Sequence, residues 1–132
     1  IPMPPNCERL DYELEVAAVI LKKAKDVSEA EARDYIAGYT IWNDWSARDV
    51  QKREMAVGLG PSKGKDFANT LGPWIATTDE FKPDKYVDGR LSLDMKVTVN
   101  GELYGHDNSK MMSWSFEQLL VHGVRPTHVT AA

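Results

Sequence analysis

The segment from Asp11 to Ile20, Asp-Tyr-Glu-Leu-Glu-Val-Ala-Ala-Val-Ile, alternates polar with apolar residues and then turns wholly apolar. That pattern is a β-strand running from a half-exposed surface into a core. It also places Asp11, Glu13 and Glu15 on one face, because successive side chains on a strand point to opposite sides. Whatever the chain folds into must therefore collect carboxylates at one end of a buried strand.

Further elements follow from local signals. Ser28 with Glu31 three residues later forms a capping box for a helix over about 29 to 37, with Gly38 as its C-terminal stop. Tyr39 to Trp42 is β-branched and aromatic, a short strand that Asn43-Asp44 ends, and a one-turn helix is expected from Ser46. Gly58 to Lys65 reads as a surface loop. Strands are predicted over 71 to 77 and 91 to 99, and Asn100-Gly101 gives a hairpin signal that returns through Glu102. A helix over 113 to 121 is capped by Ser113 or Ser115. At 132 residues this is one domain, 1–132, and the mixture predicts a β-rich α+β fold.

Composition narrows the function. With 42% hydrophobic and 27% charged residues the chain sits in the ordinary globular range. A net charge of −4, with no basic stripe, argues against nucleic acid. No apolar run reaches the length of a membrane span, and the Pro-rich start has no signal-peptide character. The single Cys7 can make neither an internal disulfide nor a zinc site, so a reducing cytoplasm is the expected setting. The chain starts at Ile1 rather than Met, and residues 123 to 132 supply no closing strand, so a partial copy of a longer catalytic unit is expected.

Glu13 and Glu15 have the spacing to share one hard divalent cation, and Asp44, in a turn between Trp42 and Trp45, is the best third ligand. Arg48 and Lys65 would offset the remaining negative charge when an anionic substrate arrives. Simpler readings stand beside these. Glu13 and Glu15 could line a solvated strand edge, Asp44 could be a turn former, and Arg48 with Asp49 a surface ion pair. Lys63 and Lys65 flank Gly64 without the Ser or Thr of a phosphate loop, so they could simply be solvated. His106 and His122 have no partner at ligand spacing and read as surface or structural residues.

Several blocks taken in order resemble one family. They are Asp11-Tyr-Glu-Leu-Glu15, Gly38-Tyr-Thr-Ile-Trp-Asn-Asp-Trp-Ser-Ala-Arg-Asp-Val-Gln51, Lys63-Gly-Lys-Asp-Phe67 and Leu71-Gly-Pro-Trp74. Asn100-Gly-Glu102 and the Met112-Ser-Trp114 to Leu120 stretch extend the match over about Asp11 to His122. Together they resemble the fumarylacetoacetate hydrolase family. The resemblance implies that family's mixed rolled sheet, with metal ligands on Glu13, Glu15 and Asp44 for Mg²⁺, or for Mn²⁺ or Ca²⁺. It implies that Arg48, Gln51 and Lys65 face the substrate, with Lys65 and Arg48 catalytic.

The activity implied is carbon–carbon cleavage of a 1,3-diketo acid, of fumarylacetoacetate or acylpyruvate type, by a cytoplasmic homodimer in aromatic-compound catabolism. Related decarboxylases, isomerases and hydratases share the ligands, and a non-catalytic metal-binding remnant is the other reading. Family hydrolases activate water with a histidine from a segment upstream of the block at Asp11, and Met55 stands where the fumarylacetoacetase branch places a substrate-facing tyrosine.

Overall fold

A computed structural model describes residues 1–125; the tail expectation over 126 to 132 lies outside them. Among the described residues ten strands and three α-helices follow one another. They are β1 (Leu10–Asp11), β2 (Leu14–Ile20), α1 (Glu29–Ala32), β3 (Ile36–Asp44), β4 (Ser46–Ala47), α2 (Arg48–Met55), β5 (Asn69–Leu71), β6 (Ala76–Thr77), β7 (Tyr86–Val87), β8 (Arg90–Leu91), β9 (Asp94–Val99), β10 (Glu102–Asn108) and α3 (Phe116–Gly123). Strands outnumber helices among the described residues, as a β-rich α+β fold requires. No helix among them is long and apolar enough to cross a membrane.

Contacts gather the chain into two units, one of Ile1–Glu15 with Ile41–Pro73 and one of Val16–Thr40 with Trp74–Ala132. The second holds the hydrophobic core. Ala24, Val27, Ala32, Ile36, Tyr39, Leu91, Phe116, Leu120 and Val124 are buried together there. Tyr39 is its centre, edge-on to Phe81 at 5.5 Å between centroids and tilted against Phe116 at 4.9 Å. Such aromatic pairs are worth about 0.5–1.5 kcal/mol beyond the area they bury. α3 presents Phe116 and Leu120 four residues apart on one face. Its start is fixed by Ser115 Oγ accepting from the Gln118 N–H, while Gln118 Oε1 accepts from the Ser115 N–H. The hairpin of β9 and β10 turns at Asn100 and Gly101, both at positive φ (52° and 88°), as the dipeptide predicts.

The first unit is built differently. Ala47 is its one buried apolar side chain among the described residues, beside buried Ser46. Backbone bonds organise it instead: β1 pairs antiparallel with β4, and β5 with the end of β3 through Trp42–Leu71, Asn43–Thr70 and Asp44–Asn69.

Several boundaries differ from the sequence reading. The helix after Ser28 ends at Ala32 and tightens to a 3₁₀ turn at Arg33–Tyr35, because β3 has already begun at Ile36. Gly38 is no helix stop. It lies inside β3 opposite Thr77 of β6, where a Cβ would overlap the Ala76 carbonyl and come within 2.7 Å of Ile75 Cγ2. The glycine is thus needed for close approach rather than for a turn. The strand predicted over 71 to 77 is broken by Gly72-Pro73 into β5 and β6, since proline has no N–H for a ladder. Similarly, the one predicted over 91 to 99 divides into β8 and β9. The turn of helix expected from Ser46 is instead the strand β4 followed by the eight-residue α2. The last helix starts at Phe116, so Ser115 rather than Ser113 is its cap.

Gly38→Ala should lower stability by about 1–3 kcal/mol through overpacking, unless β6 detaches to relieve it. A urea unfolding curve checks this; a midpoint within error of the wild type would contradict the steric argument.

Candidate metal centre

All the residues of interest lie in the first unit. Glu13 sits in the two-residue break between β1 and β2, and Glu15 is the second residue of β2. Asp44 is the last residue of β3, where its N–H donates to the Glu13 carbonyl (3.1 Å) and the Glu13 N–H donates to Asn43 Oδ1 (3.2 Å). Those two bonds hold the strand break beside the end of β3. The flanking tryptophans brace the same corner, with Trp42 Nε1 donating to Asn69 Oδ1 and Trp45 Nε1 to Thr70 Oγ1, each at 2.9 Å.

As a result Glu13, Glu15 and Asp44 each offer a carboxylate oxygen within 4.8 Å of the other two. Their alternation along the chain is not that of a solvated edge, for all three are partly buried. Two cationic side chains close on the group. Lys65 Nζ lies 2.5 Å from Glu13 Oε2 and 2.9 Å from Asp44 Oδ2. Arg48, the first residue of α2, donates through Nε to Asp11 Oδ2 (2.9 Å) and through Nη1 to Glu13 Oε1 (2.8 Å). The same Nη1 reaches Gln51 Oε1 at 3.1 Å, one turn along α2.

Two simpler readings are thereby corrected. Arg48 does not pair with Asp49, whose carboxylate instead accepts from the Glu8 and Arg9 N–H groups. Lys65 is not solvated, being only 19% exposed, whereas its neighbour Lys63 is 78% exposed and reaches only Asp66. His106 stays on the surface, 3.8 Å from Asp94.

The charges are unevenly compensated. Among the described residues, Asp11, Glu13 and Asp44 form ion pairs only with Arg48 and Lys65, and Glu15 forms none. Burial raises the Glu15 carboxyl pKa, and the negative charges of Glu13 and Asp44 push it further above the ordinary value. For Glu13 burial acts in the same upward direction, but the hydrogen bonds from Lys65 and Arg48 outweigh it and hold its pKa below the usual carboxylate value. Burial alone would lower Lys65, yet its bonds to Glu13 and Asp44 raise it. A hard cation fits the chemistry of this donor set: oxygen-only ligands from three carboxylates within 4.8 Å of one another, and an excess of negative charge to neutralise.

Comparisons with known proteins bear on the same residues. A family model described as "Fumarylacetoacetate (FAA) hydrolase C-terminal" matches residues 1–129. The chain belongs to the fumarylacetoacetate hydrolase family. It is 35% identical to a fumarylacetoacetase of Aspergillus fumigatus over 92% of its own length and 34% of that protein's. It thus spans about a third of the curated relative. Among solved structures it is similar to a fumarylacetoacetate hydrolase from Exiguobacterium antarcticum, with 30% identity and a TM-score of 0.81 over 96% of this chain and 42% of that one. It is equally similar to a 5-carboxymethyl-2-hydroxymuconate delta-isomerase from Mycobacterium smegmatis, at 29% identity, TM-score 0.81, and 100% and 48% coverage. The fold is the family's, as the ordered motifs imply.

Sequence reasoning did not assign Asp11 or Glu54 to the site. Asp11 carried a signal, since it shares the alternation of Glu13 and Glu15. Glu54 stands three residues beyond Gln51 on the same helical row.

The opposite shifts of the two glutamates set opposite pH effects. Glu13, held low, contributes stability that is full above the ordinary carboxyl pKa and is lost as pH falls through its folded value. Glu15, pushed up, costs stability that sets in as pH rises past the ordinary value and is complete above its folded one. Glu15→Gln should therefore stabilise the metal-free protein at neutral pH, by up to about 1 kcal/mol given solvent screening. The gain should vanish at acidic pH. Thermal unfolding of both proteins in chelator across the pH range tests it, and a Gln variant that melts lower at pH 7 would refute the charge reading.

Proposed function

We propose that Glu13, Glu15 and Asp44 hold a divalent cation, Mg²⁺ first and Mn²⁺ or Ca²⁺ as alternatives, and that the chain supplies the catalytic site of a hydrolase. The substrate is a 1,3-diketo acid of fumarylacetoacetate or acylpyruvate type, and the bond cleaved is carbon–carbon. The observation that carries this reading is the meeting of three carboxylates with Lys65 and Arg48 in one partly buried cluster. A cation held by Glu13, Glu15 and Asp44 would supply Lewis-acid polarisation of an oxo-acid carbonyl.

The chain's own side chains then handle charge. Cleavage of a 1,3-diketone leaves an enolate, and a fixed positive charge beside the developing oxyanion lowers the barrier. Supporting Lys65 in that role, its ammonium is held among the carboxylates by bonds to Glu13 and Asp44 rather than being free to swing into water. Arg48 is fixed by Asp11 and Glu13, which orients its guanidinium before any substrate arrives. Gln51 anchors to Arg48 through its oxygen, so its amide nitrogen is the donor it would offer the substrate.

A second reading is isomerisation or decarboxylation of a 2-oxo acid, favoured by similarity to isomerases, including a 2-hydroxyhepta-2,4-diene-1,7-dioate isomerase from Mycobacterium marinum at 34% identity. Both chemistries pass through an enolate, so Lys65 and Arg48 would act alike. A cytoplasmic homodimer is the assembly we propose for either.

Titrating Mg²⁺ or Mn²⁺ into the wild type and Asp44→Ala, with acylpyruvate cleavage and oxaloacetate decarboxylation assayed in parallel, separates the readings. Asp44→Ala should lose at least about tenfold in metal affinity, as even ligand-orienting residues cost that much. Equal affinity in both proteins would sink the site. Metal binding without turnover of either acid would leave the chain a binding remnant. Lys65→Met should cut kcat by about 10²–10³ while the metal still binds.

A further inference from the structure

We propose that Glu54 is a positioning residue that fixes the 62–64 backbone so that Lys65 is delivered to Glu13 and Asp44. The proposal deepens the functional reading above and rests on it for the role of Lys65. Glu54 touches none of the carboxylate cluster. Its carboxylate lies at the far end of α2 and accepts three consecutive backbone N–H groups, from Ser62 (2.8 Å), Lys63 (2.7 Å) and Gly64 (3.0 Å).

Three convergent donors on one carboxylate make a backbone nest of the kind that grips anions, here filled by the protein's own side chain. The Gly64, Ser62 and Lys63 bonds keep the Glu54 carboxyl below its ordinary pKa, so it holds the nest as an anion throughout the neutral range.

The loop leaves no slack between that grip and Lys65. The Gly64 carbonyl accepts from the Ala47 N–H at 2.9 Å, and the Lys65 N–H turns back onto the Ser62 carbonyl at 3.0 Å. Gly64 also lies flush on α2, where a Cβ would come within 2.9 Å of the Gln51 Cα and N atoms. Lys65 is the next residue, and its ammonium spans to both Glu13 and Asp44. The large apolar residues that precede the grip add little packing to the loop, since Val57 and Leu59 are 73% and 90% exposed. The row Arg48, Gln51, Glu54 on α2 therefore does two jobs. Its first two residues face the cluster, and its third holds the loop that brings in the second cation.

The test uses the full-length protein and reads Lys65 directly. A brief pulse of an acetylating reagent, quantified by peptide mass spectrometry, gives the labelling rate of Lys65 relative to exposed Lys82. Glu54→Gln and Glu54→Ala should label Lys65 at least about threefold faster than the wild type, with circular dichroism unchanged, because a partly buried, doubly bonded ammonium becomes more accessible. Glu54→Asp, which keeps the charge, should fall between. In turnover, kcat should drop about tenfold in Glu54→Gln, and the loss should disappear when Lys65 is already Met, since residues acting through one another are not additive.

Unchanged Lys65 labelling in the folded Glu54 variants would overturn the proposal. So would additive losses in the double variant. Unfolding of all three Glu54 variants would overturn it as well, because Glu54 would then hold the unit rather than one lysine. A wild type that neither binds Mn²⁺ nor turns over an oxo acid would remove the functional reading, and the labelling comparison would still decide Glu54.

Discussion

Mutual repulsion among Glu13, Glu15 and Asp44 is the constraint that the first unit is arranged to satisfy. Carboxylate oxygens held within 4.8 Å of one another in a partly buried setting are unfavourable without positive charge among them. Arg48 and Lys65 supply that charge, and each is itself bound from two sides. The carboxylate break beside β2, the end of β3, the start of α2 and the loop before Phe67 are all brought to one point by these ion pairs. Glu15 gains least from them. Its ionisation is disfavoured where that of Glu13 is favoured, and its charge is the one that calls for a further cation.

Much of this was legible before any coordinates. The Asp11 to Ile20 alternation marked the carboxylates and the strand that enters the core, although the structure breaks that segment at Tyr12-Glu13 into β1 and β2. Ser28 with Glu31 marked a helix start, with the Glu31 carboxylate accepting from the Ser28 N–H at 3.2 Å. The ordered motifs placed Lys65 and Arg48 near the carboxylates although they lie 52 and 35 residues from Glu13. What local signals misjudged were places where a tertiary neighbour overrides propensity. Gly38 looked like a helix stop because glycine usually is one, and only the passing carbonyl of Ala76 shows why a strand needs it. Lys65 looked as solvated as Lys63, since two lysines in one glycine-containing loop have the same sequence context. Their fates differ because one points to the carboxylates and the other only to Asp66.

The two units also divide the physical labour. In the second, Tyr39 sits between Phe81 and Phe116 in an apolar core whose burial pushes its phenol pKa up. There the familiar agents are at work: shape, apolar area and capped helix ends. In the first, hydrogen bonds to side chains and ion pairs replace them. Strands β2 and β3 each have residues in both units, so one continuous pair of segments carries both kinds of stabilisation.

That only Ala47 is a buried apolar side chain among the described residues of the first unit has a thermodynamic consequence. The heat capacity of unfolding comes mainly from exposing apolar surface, while exposing polar surface lowers it. Ordering or loosening of the carboxylate-bearing unit should therefore carry a smaller heat-capacity change than that of the unit holding the core. Its stability should vary with temperature along a flatter curve than that of an apolar core, and cooling should not weaken it as cooling weakens hydrophobic contacts. A site built on ion pairs and backbone nests would then keep its geometry in the cold.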